Sequence, residues 1–242
     1  MLAKIMTTLF ENNEVNEQIE EHVFTTDTDN QELYLVNLYP DVQYQTIDAF
    51  GGAITESVGV TLNKVSPQLA AEVIESYFGL SGIGYKTIRT HLDSCDFSIG
   101  NYSAVEDEKD SDFSTFSLNH DEKNIIPYIH AACTASGVDL PVMISPWSPP
   151  AFMKTNGDKN GGGKLKKKCY TAWAKYICKY IMEYKKRGVN IAAISVQNEP
   201  NAVQKWDSCT FTGEEEQEFL QYYLAPELKT AGLRNLEIYI WD

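Results

Sequence analysis

The chain is short of the residues that staple secreted mini-domains or hold metals. Its 242 residues include five cysteines (Cys95, Cys133, Cys169, Cys178 and Cys209) and four histidines. The odd count and the absence of a Cys-x-x-Cys pair argue against a disulfide framework and a zinc site. Neither a metal nor a cofactor is expected. Positive charge is scarce too: 20 Lys and Arg stand against 34 Asp and Glu, a net charge of −14. Nucleic acid and anionic membranes select basic surfaces, so neither is expected as a partner. No run approaches the roughly 20 apolar residues of a membrane span. The start, Met1–Phe10, lacks the apolar core and cleavage site of a secretory signal, which makes the cytoplasm the default. The basic run Lys164, Lys166, Lys167, Lys168 reads as a solvated loop. Gly51-Gly52 continues as Ala53-Ile54-Thr55-Glu56, which is neither a dinucleotide fingerprint nor a Walker loop.

What is present is a globular composition, 43% apolar and 12% aromatic. Residues 1–30 are polar and acidic and read as an extension or loosely packed arm, followed by a strand over Leu33–Leu38. From Tyr44 onward strands and helices alternate. Strands are predicted over Gln45–Phe50, Tyr85–Leu92, Leu140–Ser145, Ile191–Val196 and Leu236–Trp241. Ser66 and Pro67 open a helix that stops at Gly79. A second helix is predicted from Asn119 to Gly137. The third, Tyr170 to Arg187, carries Trp173, Tyr176, Ile177, Tyr180 and Ile181 on one face, a core stripe ended by Gly188. Thr212-Gly213-Glu214-Glu215 forms a capping box opening a fourth helix, which buries Phe219, Leu220, Tyr223 and Leu224. This alternation calls for a parallel sheet with helical crossovers, as a doubly wound sheet or a (β/α)8 barrel.

Polar and aromatic groups collect after each predicted strand. The first is followed by Phe50, Gly51, Gly52 and Glu56; the second bears Arg89, His91, Asp93 and Asp96; the third leads to Trp147 and the stiff Ser148-Pro149-Pro150. The fourth ends in Asn198 and Glu199, and the fifth in Asp242. Strand tips are where parallel α/β proteins place chemistry. Aromatic faces for sugar C–H surfaces, with carboxylates and amides for hydroxyls, make up a carbohydrate kit. A strand-tip Glu199 beside Asn198 suits general acid/base work in glycoside chemistry.

The segments Phe50-Gly51-Gly52-Ala53, Ser94-Cys95-Asp96-Phe97-Ser98, Ser145-Pro146-Trp147-Ser148-Pro149-Pro150, Lys154-Thr155-Asn156-Gly157 and Asn198-Glu199-Pro200 occur in one order. Together they resemble the glucosylceramidase family of glycoside hydrolases, family 30, over about residues 44–242. The resemblance implies a (β/α)8 barrel with an attached β-sandwich and hydrolysis of β-glycosides with retention, the substrate being a β-glycoside or glycolipid. It implies Glu199 as general acid/base and Asn198 on the sugar 2-hydroxyl. Asp96 and Trp147 would grip the glycosyl ring, with Arg89 beneath the pocket and Asp242 at an acidic strand end of less defined role. Each has a structural alternative: Arg89 in an ion pair, Asp96 as a loop cap, Trp147 as core.

The chain departs from the family in extent. Residues 44–242 supply about five of eight barrel strands, and residues 1–43 hold a strand that would belong with the sandwich. The family's nucleophile, on the seventh strand, has no match. The chain alone is therefore expected to be inactive: a fragment, a prematurely stopped product or half of a split enzyme. The alternatives are a non-catalytic sugar-binding remnant or a related β-1,6-glucanase or xylanase.

Overall fold

The computed structural model describes residues 2–11, 14–26 and 37–242. They fall into two compact units, Met1–Thr46 and Ile47–Asp242. In the first, residues read as a loose arm instead form an antiparallel hairpin, β1 (Leu2–Glu11) with β2 (Glu14–Val23). Its register sets Leu2 opposite Val23, Met6 opposite Ile19 and Phe10 opposite Val15. Since side chains alternate along a strand, these apolar pairs share one face. Spaced four residues apart, they lack the alternation that marks a strand. The strand expected over Leu33–Leu38 lies, apart from Asn37 and Leu38, outside the described residues.

The second unit is built on a five-stranded parallel sheet. In chain order its elements are β3 (Gly51–Ala53), α1 (Glu56–Leu62), α2 (Pro67–Phe78), β4 (Thr87–Leu92), α3 (Asn119–Asn124) and α4 (Ile126–Ser136). Then come β5 (Val142–Pro146), α5 (Tyr170–Lys186), β6 (Ile191–Ser195), α6 (Gly213–Phe219), α7 (Ala225–Thr230) and β7 (Glu237–Tyr239). The strands lie in sequence order, β3-β4-β5-β6-β7, and every neighbour is parallel. That order belongs to a (β/α) barrel and not to a doubly wound sheet, whose order reverses. The barrel is incomplete, with β3 and β7 as open edges.

Four of the five strands lie where the hydrophobic pattern puts them. The first does not: residues 45–50 are exposed coil, and Gly51-Gly52-Ala53 pair with β4 instead. A Cβ on Gly51 would meet the Thr87 carbonyl oxygen at 2.3 Å, so only glycine fits this strand so closely to its neighbour. The helix predicted over 119–137 breaks at Ile125, two residues ahead of Pro127, which has no N–H to donate to the Lys123 carbonyl and so sits in the first turn of a new helix. Gly137, at φ +70°, ends it. Ser66 caps α2 by accepting from the Leu69 N–H at 3.2 Å. Thr212 and Glu215 exchange both bonds of the capping box. Past α6 the backbone widens into a π-turn over Leu220–Leu224, just before Pro226, which has no N–H to offer the ladder. Phe219 and Leu224 are buried there, Leu220 and Tyr223 only in part.

Helix α5 is the densest part of the core. Trp173, Tyr176, Ile177, Tyr180, Ile181 and Tyr184 are all fully buried along it. Its tyrosine hydroxyls need partners there and find two aspartates. Tyr176 donates to Asp93 at 2.7 Å, and Tyr180 at 2.5 Å and Tyr184 both donate to Asp121. Burial pushes Asp121 up to about 7 and Asp93 up to about 6. Both lie above the ordinary aspartate value near 3.9, so the folded state keeps protons that the unfolded chain has released. These two groups therefore lower stability as pH rises from about 4 through about 7. Urea midpoints measured across that window should fall with pH, and Asp121→Asn should flatten the slope. An unchanged slope in that variant would show that Asp121 does not titrate there.

Candidate active site

Side-chain parity along the parallel strands builds the site. Arg89 on β4, Met143 and Ser145 on β5, and Ala193 and Ser195 on β6 share the concave face, because residues two apart point the same way. Toward the strand starts, that face bounds a cavity of about 600 Å³ lined by Arg89, Met143, Ala193 and Tyr239. Toward the strand tips the polar residues converge.

Asp242, just past β7, is the hub. Its Oδ2 accepts from Arg89 Nη2 at 2.6 Å, Arg89 Nε at 3.2 Å and Ser145 Oγ at 2.9 Å. Its Oδ1 accepts from Ser195 Oγ at 2.5 Å. One carboxylate thus binds side chains from β4, β5 and β6. Arg89 Nη2 also donates to Asn198 Oδ1 at 2.8 Å, and the guanidinium lies 4.7 Å from the Trp147 ring centre.

The backbone around Asn198 and Glu199 is held in a bend. Asn198 N–H donates to the Pro146 carbonyl at 2.9 Å and Glu199 N–H to the Asp242 carbonyl at 2.7 Å. Glu199 has φ +45°, a region that residues other than glycine rarely occupy. The bend exposes the Glu199 side chain while Asn198 and Trp147 stay buried. Asp96 is exposed beside them, its carboxylate near the Trp147 side chain. Partial burial, with the Glu199 charge adding to it, raises Asp96 above the usual aspartate range.

All six residues singled out from the sequence are thus brought to one end of the sheet. Glu56 is not among the pocket groups: its buried carboxylate accepts from Ile99 N–H and Asn124 and meets His120 at 3.0 Å. His91, two residues on from Arg89 along β4, is fully buried, its ring edge-on to Trp147 at 6.4 Å. Its Nε2 accepts from the Glu56 N–H at 3.0 Å, so its Nδ1–H donates to the Asp93 carbonyl, and burial pushes it down to about 4. Sequence reasoning missed Ser145, Ser195 and Gln197. Gln197 Nε2 donates to the Trp147 carbonyl at 2.8 Å and the Asn198 carbonyl at 2.9 Å, tying two strand tips together. Parity with Arg89 was the signal that could have found the two serines.

Because Asp242 faces Arg89 and both serines, Arg89→Ala leaves that carboxylate without its cation. We expect a loss of about 1–3 kcal/mol in urea unfolding at an unchanged m-value. Arg89→Lys should recover only part of it, lacking the planar fork. Full recovery by Lys would show that charge alone matters.

Residues 47–242 match the glycosyl hydrolase family 30 TIM-barrel domain. The lysosomal acid glucosylceramidase of Mus musculus is 35% identical over 207 residues, 82% of this chain and 40% of that protein. The crystal structure of SrfJ from Salmonella typhimurium superposes with a TM-score of 0.87 at 40% identity, covering 100% of this chain and 54% of that one. The endo-β1,6-glucanase BT3312 does so with a TM-score of 0.76 at 30% identity, covering 85% and 46%. The chain thus spans about half the length, or less, of these relatives. With its parallel strands in barrel order and its polar groups gathered at their tips, the chain belongs to glycoside hydrolase family 30.

Proposed function

We propose that this chain carries the acid/base side of a retaining β-glycosidase site. The observation that carries the reading is the Asp242–Arg89–Asn198 chain of hydrogen bonds, with Glu199 exposed next to it. Arg89 occupies the Asn198 carbonyl oxygen, which leaves the amide N–H groups as the donors available to a sugar 2-hydroxyl. Such a bond strengthens as the ring moves toward an oxocarbenium ion. Glu199 would protonate the leaving oxygen and then deprotonate water. Asp96 and Trp147 would hold the far side of the glycosyl ring, the aromatic face against C–H bonds. Residues 44–242 make up the barrel portion and residues 1–43 belong with a β-sandwich region. The substrate is a β-glycoside, with glucosylceramide or another β-glucoside as the leading class and β-1,6-glucan and xylan as the alternatives that the relatives' names support.

Retention needs a second carboxylate about 5–5.5 Å from the first. Asp242 is fully engaged by Arg89, Ser145 and Ser195, which argues against it as that nucleophile. The nucleophile would come from the seventh barrel strand, which is not among β3–β7. The purified chain should therefore bind a glucose-configured iminosugar and release no aryl alcohol from aryl β-glucosides. Turnover by this chain that Glu199→Gln abolishes would overturn the division of labour. Fused to the remaining strands of a relative, the chain should gain activity, and Glu199→Gln should then lower kcat about 10²–10⁴-fold on glycosides with poor leaving groups. Binding without turnover even in the fusion would favour a non-catalytic sugar-binding role.

A further inference from the structure

Behind the pocket lies a buried lysine that the acid/base reading does not use. Lys159 is 5% exposed and sits on the long loop between β5 and α5. Its Nζ lies 3.8 Å from Asp93 Oδ2 and 3.6 Å from Asp207 Oδ1. It also donates to the Ser148 carbonyl at 3.1 Å and to Ser103 Oγ at 3.2 Å. The partners come from three pocket-bearing loops, with Asp93 and Ser103 on the same one. Asp93 begins the loop that bears Asp96, Ser148 follows Trp147, and Asp207 lies in the loop that runs on from Glu199. Ser94 Oγ donates to Asp207 Oδ1 at 2.6 Å, closing the link between the first and third loops.

The Lys159 backbone is fixed as well. Its carbonyl accepts from Lys154 Nζ at 2.8 Å and from the Ser208 N–H at 3.0 Å. An ammonium this buried is costly unless paired. Here it faces two equally buried carboxylates, so removing it would leave two anions without a cation among residues that set the pocket's shape. The hydrogen bonds of Gln197 join only the second and third loops, and the neighbouring Asn160 adds a bond to Asn101 at 2.8 Å and a bridge to Asp207.

We propose that Lys159 is a positioning residue: its ammonium locks together the three strand-tip loops that carry Asp96, Trp147 and Glu199. The proposal rests on the glycoside reading for its purpose, and on the loop geometry alone for its structure. Its test is therefore split. Nitrogen–proton NMR spectra of the full chain report the Trp147 indole, assigned by its loss in Trp147→Phe, and that ring lies in the pocket 4.7 Å from the Arg89 guanidinium. Trp173, fully buried in α5, is the internal control. Lys159→Met should shift or broaden the Trp147 signal and leave Trp173 in place, and Lys159→Arg should restore it.

If Lys159→Met does not fold, the double variant Lys159→Met/Asp93→Asn removes one stranded anion and carries the same comparison. A Trp147 signal unmoved in either variant overturns the proposal. Titration with the iminosugar 1-deoxynojirimycin should show about tenfold weaker binding to Lys159→Met, the scale of one lost positioned hydrogen bond. An indole shift with unchanged affinity would confine Lys159 to the fold and also overturn it. Failure of the unmodified chain to bind the iminosugar would sink the glycoside reading alone, since the indole comparison does not depend on it.

Discussion

The Asp242 carboxylate is the constraint on which the pocket depends. Parallel strands leave their tips unconnected, because each tip runs into its own loop and the sheet's hydrogen bonds fix only the backbone. Asp242 supplies the missing lateral bond by accepting from Arg89, Ser145 and Ser195 on three successive strands. The guanidinium it neutralises turns the other way to bind Asn198 and lies against Trp147. The orientation of the amide, the seat of the indole and the charge beneath the pocket therefore follow from one ion pair. Pairing also explains how an arginine is tolerated on a barrel's inner face, where an isolated charge would be expensive.

A second tier of charge lies deeper and works differently. Asp93 and Asp121 are enclosed by tyrosine hydroxyls from α5, and Lys159 stands between Asp93 and Asp207 at 3.6–3.8 Å. Near the pocket the pairs are in contact, whereas in this tier hydrogen bonds from neutral groups share the load. The aromatic stripe of α5 thus has a double use: its rings fill the core against the sheet, and its hydroxyls hold carboxylates at the base of the strand-tip loops. An acidic chain of net charge −14 keeps several of its acids inside by this means.

Much of this was legible in the sequence, for reasons that differ by residue. Ile191–Ser195 is a run of apolar and small residues that only a buried strand accommodates, and α5 carries its stripe at helical spacing. Asn198, Glu199, Trp147, Asp96, Arg89 and Asp242 were found because each follows or ends such an element. Gly51-Gly52 misled because glycine carries no strand propensity, although close approach to Thr87 is why it is there. The break at Ile125 was announced by Pro127 inside the periodic pattern. Lys159 and Asp207 carried no signal: both sit in irregular loops, and only the tertiary fold makes them neighbours. The hairpin of the first unit was hidden by apolar residues spaced four apart, a spacing that matches a helix face better than strand alternation.

On the proposed reading, the ligation of the pocket carboxylates also says which of them are free to react. A nucleophilic carboxylate must present a lone pair to the anomeric carbon, so it cannot have both oxygens committed to strong donors. Asp242 has both committed, one to Ser195 and the other to Arg89 and Ser145. Asp96 is exposed beside Trp147, suited to hydroxyl binding. Glu199 remains, its backbone pinned and its side chain exposed. A retaining mechanism requires its partner across the sugar ring, on the opposite wall of a barrel, because a neighbouring strand tip lies on the same side. The sheet β3–β7 forms one wall of such a site, and the chemistry proposed for Glu199 needs the other.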